Sequence, residues 1–209
     1  MQDRANRTRH AILRAAAESF DDHGYLGTSL QDIVKRRDIS KGALYFHFQS
    51  KEALAVAIIQ EQRDSWPPMV ARLREFHPRA IHLLMELSWQ VARLICTDVK
   101  MRAGIRLMFE RDAISQPAPS PLTYWTDTVE SLLKDARDQG DLLPDVNARE
   151  TAELLVAAFS GLHIVLDRGI ERCDLPRRVT AAWRCVLPRL VNTGCVTDMA
   201  GIATRDHEA

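Results

Sequence analysis

Apolar residues recur along this chain at intervals of three and four over almost its whole length, and stretches that alternate with period two are few. That pattern predicts an all-α protein. The first stripe, Ile12, Ala15, Ala16, Ser19 and Phe20, belongs to a helix over about residues 4–23, which Gly24 stops by turning left-handed. Thr28, followed three residues later by Gln31, reads as a capping box opening a short second helix, with Leu30, Ile33 and Val34 inward and Asp38 at its end. Ser40 caps a third helix through about Phe48. Ser50 starts a longer fourth helix, which Pro67 and Pro68 are predicted to end. Five more helices follow, over about residues 78–97, 99–111, 121–139, 148–170 and 176–192. Residues 116–121 form a proline-rich loop, Gly140 closes a helix, Asn147 caps the next, and the polar tail after Gly194 frays.

The chain has 209 residues, 46% hydrophobic and 27% charged. A body of this size buries roughly 70% of its unfolded surface, which excludes a disordered or collagen-like chain. Net charge is zero, yet the first 51 residues carry nine Lys or Arg against six Asp or Glu, so this head is +3 and the remainder −3. A basic head on an acidic body points to an anionic partner for the first quarter alone. Cys96, Cys173, Cys185 and Cys195 form no CxxC pair and have no histidine at zinc-finger spacing. They read as reduced thiols, with disulfides as the alternative, and no metal or cofactor is implied. No signal-peptide stretch opens the chain, and the most apolar run, residues 154–166, is broken by His163 and falls short of the roughly 18–20 residues that cross a bilayer. The expected location is the cytoplasm.

Residues 29–37 and 41–48, two short helices with a three-residue turn between them, have the dimensions of a helix-turn-helix, whose second helix enters the DNA major groove. Ile39, Leu44 and Phe48 are spaced to pack that helix inward, leaving Lys41, Gly42, Ala43, Tyr45 and His47 toward solvent or DNA. Gly42 lets backbone N–H groups approach phosphates or base edges, and Tyr45, His47 and Lys51 can donate to phosphates. Thr28, Ser29, Arg37 and Ser40 complete the candidate interface. A helical hairpin with a solvated basic face is the competing reading.

The segments Gly24-Tyr25, Thr28-Ser-Leu-Gln-Asp-Ile33, Ser40-Lys-Gly-Ala-Leu-Tyr-Phe-His-Phe48 and Ser50-Lys-Glu52 together resemble the DNA-binding domain of TetR-family repressors. The resemblance implies a homodimer with a three-helix head over residues 1–52, joined by a linking helix to a ligand-binding and dimerisation body over residues 53–209. It also implies a palindromic double-stranded operator read on successive helical turns, about 34–36 Å apart.

The body is similar to the gamma-butyrolactone autoregulator receptors in Lys100-Met-Arg-Ala-Gly-Ile-Arg-Leu107, Pro121-Leu-Thr-Tyr-Trp125, Leu143-Pro-Asp-Val146, Ala152-Glu-Leu-Leu-Val-Ala-Ala-Phe-Ser-Gly161 and Asp174-Leu-Pro-Arg-Arg-Val179. It departs from that pattern at Asn147 and Arg189. The resemblance implies a repressor of secondary-metabolism genes, released by a small gamma-butyrolactone-like signal, and makes Trp125 the pocket tryptophan. A pseudo-receptor of the same fold, answering antibiotics or pathway intermediates, stays open. On its own spacing Trp125 is equally a core anchor. Gln62, Met85, Trp89, Met108, Phe109, Phe159, Ser160 and His163 are further ligand candidates, each with core packing as the alternative. His82 and Glu86, one turn apart, read as a surface pair or a core histidine rather than a metal site. Residues 148–170 and 176–192 are apolar enough to form a subunit four-helix bundle as well as a core. Two other classes remain. An all-α enzyme is disfavoured because no nucleophile triad, phosphate loop or paired carboxylates are evident, and an architectural DNA-binding protein would lack inducible release.

Overall fold

The computed structural model describes residues 2–37, 39–110, 114, 121–167 and 174–192. Among them lie nine α-helices and no β-strand: α1 (Gln2–Gly27), α2 (Leu30–Arg36), α3 (Lys41–His47), α4 (Lys51–Phe76), α5 (Ala80–Thr97), α6 (Val99–Phe109), α7 (Pro121–Asp138), α8 (Ala148–Asp167) and α9 (Leu175–Val186). The chain divides into two compact units, Met1–Pro67 with Thr97–Ser120, and Pro68–Cys96 with Pro121–Ala209.

In the first unit the inward stripe of α1 sets the packing. Ile12, Leu13, Ala15, Ala16, Ser19 and Phe20 are all fully buried. The large apolar side chains among them each contribute about 1.5–3 kcal/mol by leaving water. The small residues of the stripe leave room for α6, whose Ala103 and Leu107 join the same core as Ile33 of α2, Leu44 of α3 and Leu54 of α4. α1 breaks at Gly24, where φ is +71°, a conformation that L side chains rarely adopt. A Cβ there would also lie 2.6 Å from Glu110 Oε1.

Four boundaries differ from the sequence expectation. The capping box sits one residue later than Thr28 and Gln31. Ser29 is the N-cap, its hydroxyl accepts from the Asp32 N–H, and Asp32 accepts from the Ser29 N–H. Thr28 is unavailable for this because its hydroxyl lies within 2.8 Å of the Gly24 carbonyl and 3.0 Å of the Ser19 carbonyl, which it serves as donor. α2 ends at Arg36, with Arg37 as its C-cap; Asp38 lies outside the described residues. α4 does not stop at Pro67 and Pro68 but continues to Phe76. The two missing N–H groups cost backbone hydrogen bonds. Burial of Trp66, Met69 and Leu73 on either side of the prolines offsets that loss. Finally, α9 ends at Val186 and passes into a 3-10 turn over Leu187–Arg189, because Pro188 has no N–H to extend the α-helix.

In the second unit α7 packs on α8 and α8 on α9. α5 has a wide apolar face, with Ile81, Leu84, Met85, Trp89, Ala92 and Ile95 buried, and a polar stripe of His82, Glu86, Gln90 and Arg93 opposite it. Two indole N–H groups cross-link α5 to α9: Trp89 donates to Thr180 Oγ1 at 3.0 Å, and Trp183 to Ser88 Oγ at 2.7 Å. Gly140, at φ +77°, closes α7, and Asn147 caps α8 by accepting from the Arg149 and Glu150 N–H groups. The buried Asp141 carboxylate takes a bidentate contact from Arg79. The loop 116–121, the last residues assigned to the 148–170 helix, and the tail lie wholly or partly outside the described residues. No helix among the described residues is long and apolar enough to cross a membrane.

Candidate functional site

α2, the turn after it and α3 are held from three sides. Ile33, Ile39, Leu44 and Phe48 are buried as their spacing requires, which fixes α3 against the first helices. Ser40 is the N-cap of α3, its hydroxyl accepting from the Ala43 N–H at 3.1 Å. Its first turn is open: Lys41 and Gly42 are exposed, and a Cβ on Gly42 would meet nothing within 4 Å. Tyr45 is 53% exposed and Ala43 and His47 are half-buried. Phe46, which the sequence reading passed over, is 80% exposed and sits edge-on to His47 with ring centroids 5.0 Å apart. An aromatic between two inward-facing positions was the available signal. Its exposure adds an apolar side chain to a face otherwise made of hydrogen-bonding groups.

Four of the sequence candidates are instead occupied in holding this face. Thr28 is buried against Ser19 and Gly24. Ser29 caps α2. Arg37 forks onto Glu18 of α1; its hydrogen bond, opposed by partial burial, holds the Glu18 carboxyl below the usual range. The Lys51 ammonium donates to the Tyr25 carbonyl at 2.7 Å and the Thr28 carbonyl at 2.9 Å, and lies 4.4 Å from the Tyr25 ring centroid. Two of its three donors thus tie the start of α4 to the turn before α2. Burial first, and the Glu52 charge second, push the Tyr25 phenol up.

α6 grips the same turn. Glu110 accepts from the Tyr25 N–H and from Arg106, Arg102 pairs with Asp21 at 2.8 Å, and Arg106 donates to the Asp21 carbonyl. Glu61 of α4 joins Arg9 of α1 at 3.1 Å to Lys100 of α6 at 2.9 Å. Burial raises the Glu61 pKa, but Lys100 and Arg9 outweigh it and leave the carboxyl below its ordinary value.

The ligand candidates divide between the units. In the first, Gln62 is buried, its amide donating to the Met101 carbonyl and thioether, with Gly104 directly against it; Met108 is half-buried and Phe109 is 44% exposed. In the second, Met85 and Trp89 are buried in the α5–α9 core, and Phe159 and Ser160 are half-buried on α8. Phe159 lies 5.7 Å from the ring of Trp183, which is fully buried. Trp125 is half-buried on α7 and packs edge-on to Tyr124 at 5.8 Å. The side chain of His163 lies outside the described residues. An open surface groove of about 500 Å³ beside Lys134, Arg137 and Asn147 contains none of these candidates. Among the described residues no group of three His, Cys, Asp or Glu is placed to hold a metal ion.

Two short helices, the second capped and open at its first turn, define a helix-turn-helix DNA-binding head on a chain whose second compact unit is also helical. Residues 12–58 match the model for bacterial regulatory proteins of the tetR family, and residues 79–192 match the tetracyclin repressor-like C-terminal domain. The A-factor receptor protein of Streptomyces griseus is 34% identical over 195 residues, 93% of this chain and 68% of that one. CprB from Streptomyces coelicolor, a TetR family protein studied in complex with its biological operator sequence, has a TM-score of 0.88 at 33% identity, covering 97% of each chain. A gamma-butyrolactone receptor described as ArpA-like has a TM-score of 0.84 at 33% identity, again over 97% of each chain. This chain belongs to the TetR family of bacterial transcription regulators.

Proposed function

We propose that this chain is a homodimeric repressor that holds a palindromic operator through two copies of α3 and lets go when a gamma-butyrolactone-like signal binds the body. The observation that carries the DNA half is the open first turn of α3, with bare Lys41 and Gly42 on a surface where most other charges are neutralised internally. The ligand half rests on similarity along nearly the whole chain to the A-factor receptor and the gamma-butyrolactone receptor. In this reading residues 1–52 carry the operator contacts, and residues 53–209 carry the pocket, with Trp125 on its wall, and the dimer contact. Leu154, 67% exposed, with exposed Ala157 and Ala158, gives α8 an outward apolar face fitted to a second copy. The protein would act in the cytoplasm, as a regulator and not an enzyme. The ligand works only through its differential affinity for the two states; moving the population from nearly all operator-bound to nearly all free needs about 5.5 kcal/mol.

The test is operator binding by the purified protein on its own upstream DNA, with and without gamma-butyrolactones and then with antibiotic pathway intermediates. Release by a butyrolactone, lost in Trp125→Ala without loss of operator affinity, supports the full reading. Release only by the intermediates makes the protein a pseudo-receptor. Sequence-specific binding that nothing releases refutes the ligand half.

A further inference from the structure

Phe46 keeps an aromatic ring in water, 80% exposed, on a helix of only seven residues. Side chains advance about 100° per residue around a helix, so the buried Leu44 marks the inward direction of α3 and fixes where its neighbours point. Gly42 and Phe46 each lie about 160° from Leu44, one on either side of the outward direction, about 40° apart around the helix and about 6 Å apart along it. Lys41 and Tyr45 stand on one flank of that line, about 60° and 100° from Leu44, and His47 stands on the other, about 60° away. The centre of the exposed face is therefore a bare glycine followed one turn later by an aromatic ring, and the hydrogen-bonding groups occupy its margins. A Cβ on Gly42 would meet nothing within 4 Å, so the space beside the ring is open. His47 sits edge-on to Phe46, with ring centroids 5.0 Å apart and planes at 86°, and limits how the Phe46 ring can turn.

A helix lying in the major groove presents its margins to the phosphates and its centre to the base edges. A phenyl ring offers no hydrogen bond to a base, and the one methyl group that the four bases display in that groove is the C5 methyl of thymine. We propose that Phe46 is a specificity-determining residue, packing on the C5 methyl of one thymine in each half-site, with Gly42 letting the helix approach closely enough for the contact. The inference rests on the operator-binding reading above. It assigns part of the choice of sequence to an apolar contact, separate from any phosphate contact made by the charged and hydroxyl groups at the margins.

The test uses the full chain and the duplex it selects from random DNA, with a scrambled duplex of equal length as reference. Uracil differs from thymine only in lacking the methyl group, so each symmetric pair of operator thymines is replaced by deoxyuridine in turn. One pair should cost the unmodified protein about 4-fold in affinity per half-site, or about 15-fold for both, the value of two methyl groups returned to water. Phe46→Ala should bind the thymine and uracil duplexes equally, bind the scrambled duplex as the unmodified protein does, and keep the slope of log K against log salt, because no phosphate contact has been removed. Its melting temperature should not change, since the ring is exposed. Phe46→Leu keeps an apolar side chain and should retain part of the thymine preference. Selective operator binding in which no thymine pair distinguishes the unmodified protein from Phe46→Ala overturns the thymine assignment and leaves the repressor reading standing. A loss in Phe46→Ala that is equal on the scrambled duplex and comes with a lowered salt slope makes Phe46 a backbone contact and overturns it as well. Selection that returns no preferred sequence overturns the repressor reading, and this inference with it.

Discussion

Gly104→Ala in α6 isolates the approach of α4 to α6 within the first unit. In an open helix interior this change should stabilise by about 1 kcal/mol, the helix-propensity difference between glycine and alanine. Here the new Cβ would land against Gln62 Oε1, 2.7 Å from its Cδ and 3.3 Å from its Cβ. Gln62 is only 8% exposed, and its amide is engaged with the Met101 carbonyl and sulfur, so it has no solvent route of retreat. Overpacking of this kind costs about 1–3 kcal/mol, which outweighs the propensity gain and makes the single variant less stable by about 1 kcal/mol. In a Gln62→Ala background the obstacle is gone, and the same change should stabilise by about 1 kcal/mol. The double-mutant cycle then yields a coupling of about 2 kcal/mol, equivalent to roughly 4–8 °C in Tm for a chain of this length. Urea unfolding of the four proteins at fixed pH measures it. Equal stabilisation in both backgrounds would refute the close contact between these helices.

Three further outcomes follow from other contacts. Lys51→Met should destabilise the first unit by about 2–4 kcal/mol, from two charge-assisted hydrogen bonds and the contact over Tyr25; a loss under about 0.5 kcal/mol in thermal melts would count against that anchoring role. Trp183→Phe removes the indole donor to Ser88 and should cost about 1–2 kcal/mol, while Ser88→Ala in the Phe background should add little, which calorimetry of the pair checks. Glu18 and Glu61 have folded pKa values below their ordinary 4.5, so the stability they supply is complete above that value and is lost as pH falls through the lowered folded values. Melting temperatures followed from pH 7 to pH 3 should therefore decline less steeply in Glu61→Gln than in the unmodified protein, and parallel declines would remove Glu61 from the acid response.

The elements set by local chemistry were legible in the residues. The α1 stripe is buried as its three-and-four spacing requires, Ser40 and Asn147 cap the helices they precede, and Gly24 and Gly140 take positive φ. What was not legible depended on distant partners. Pro67 and Pro68 read as a stop because the burial of Trp66, Met69 and Leu73 is a tertiary fact. The cap moved from Thr28 to Ser29 because the Thr28 hydroxyl belongs to carbonyls four and nine residues earlier. Residue type alone marks Arg37 and Lys51 as phosphate ligands; only the fold shows Glu18 and two carbonyls already there. The grip of α6 on the last turns of α1 joins residues more than 80 positions apart, such as Arg102 and Asp21, and no spacing rule reaches that far.

That grip has a consequence for anyone exchanging parts between regulators of this type. A chimera spliced after residue 52 would carry the Tyr25 amide and the Asp21 carboxylate into the company of a foreign sixth helix, with neither Glu110 nor Arg102 to meet them. Gly24 would keep its backbone but lose the carboxylate that fills the space where a side chain would stand. A graft that brings residues 97–110 along with the head keeps all three. The transplantable module is therefore discontinuous in sequence, and its smallest faithful version includes a helix that begins almost fifty residues beyond the apparent cut.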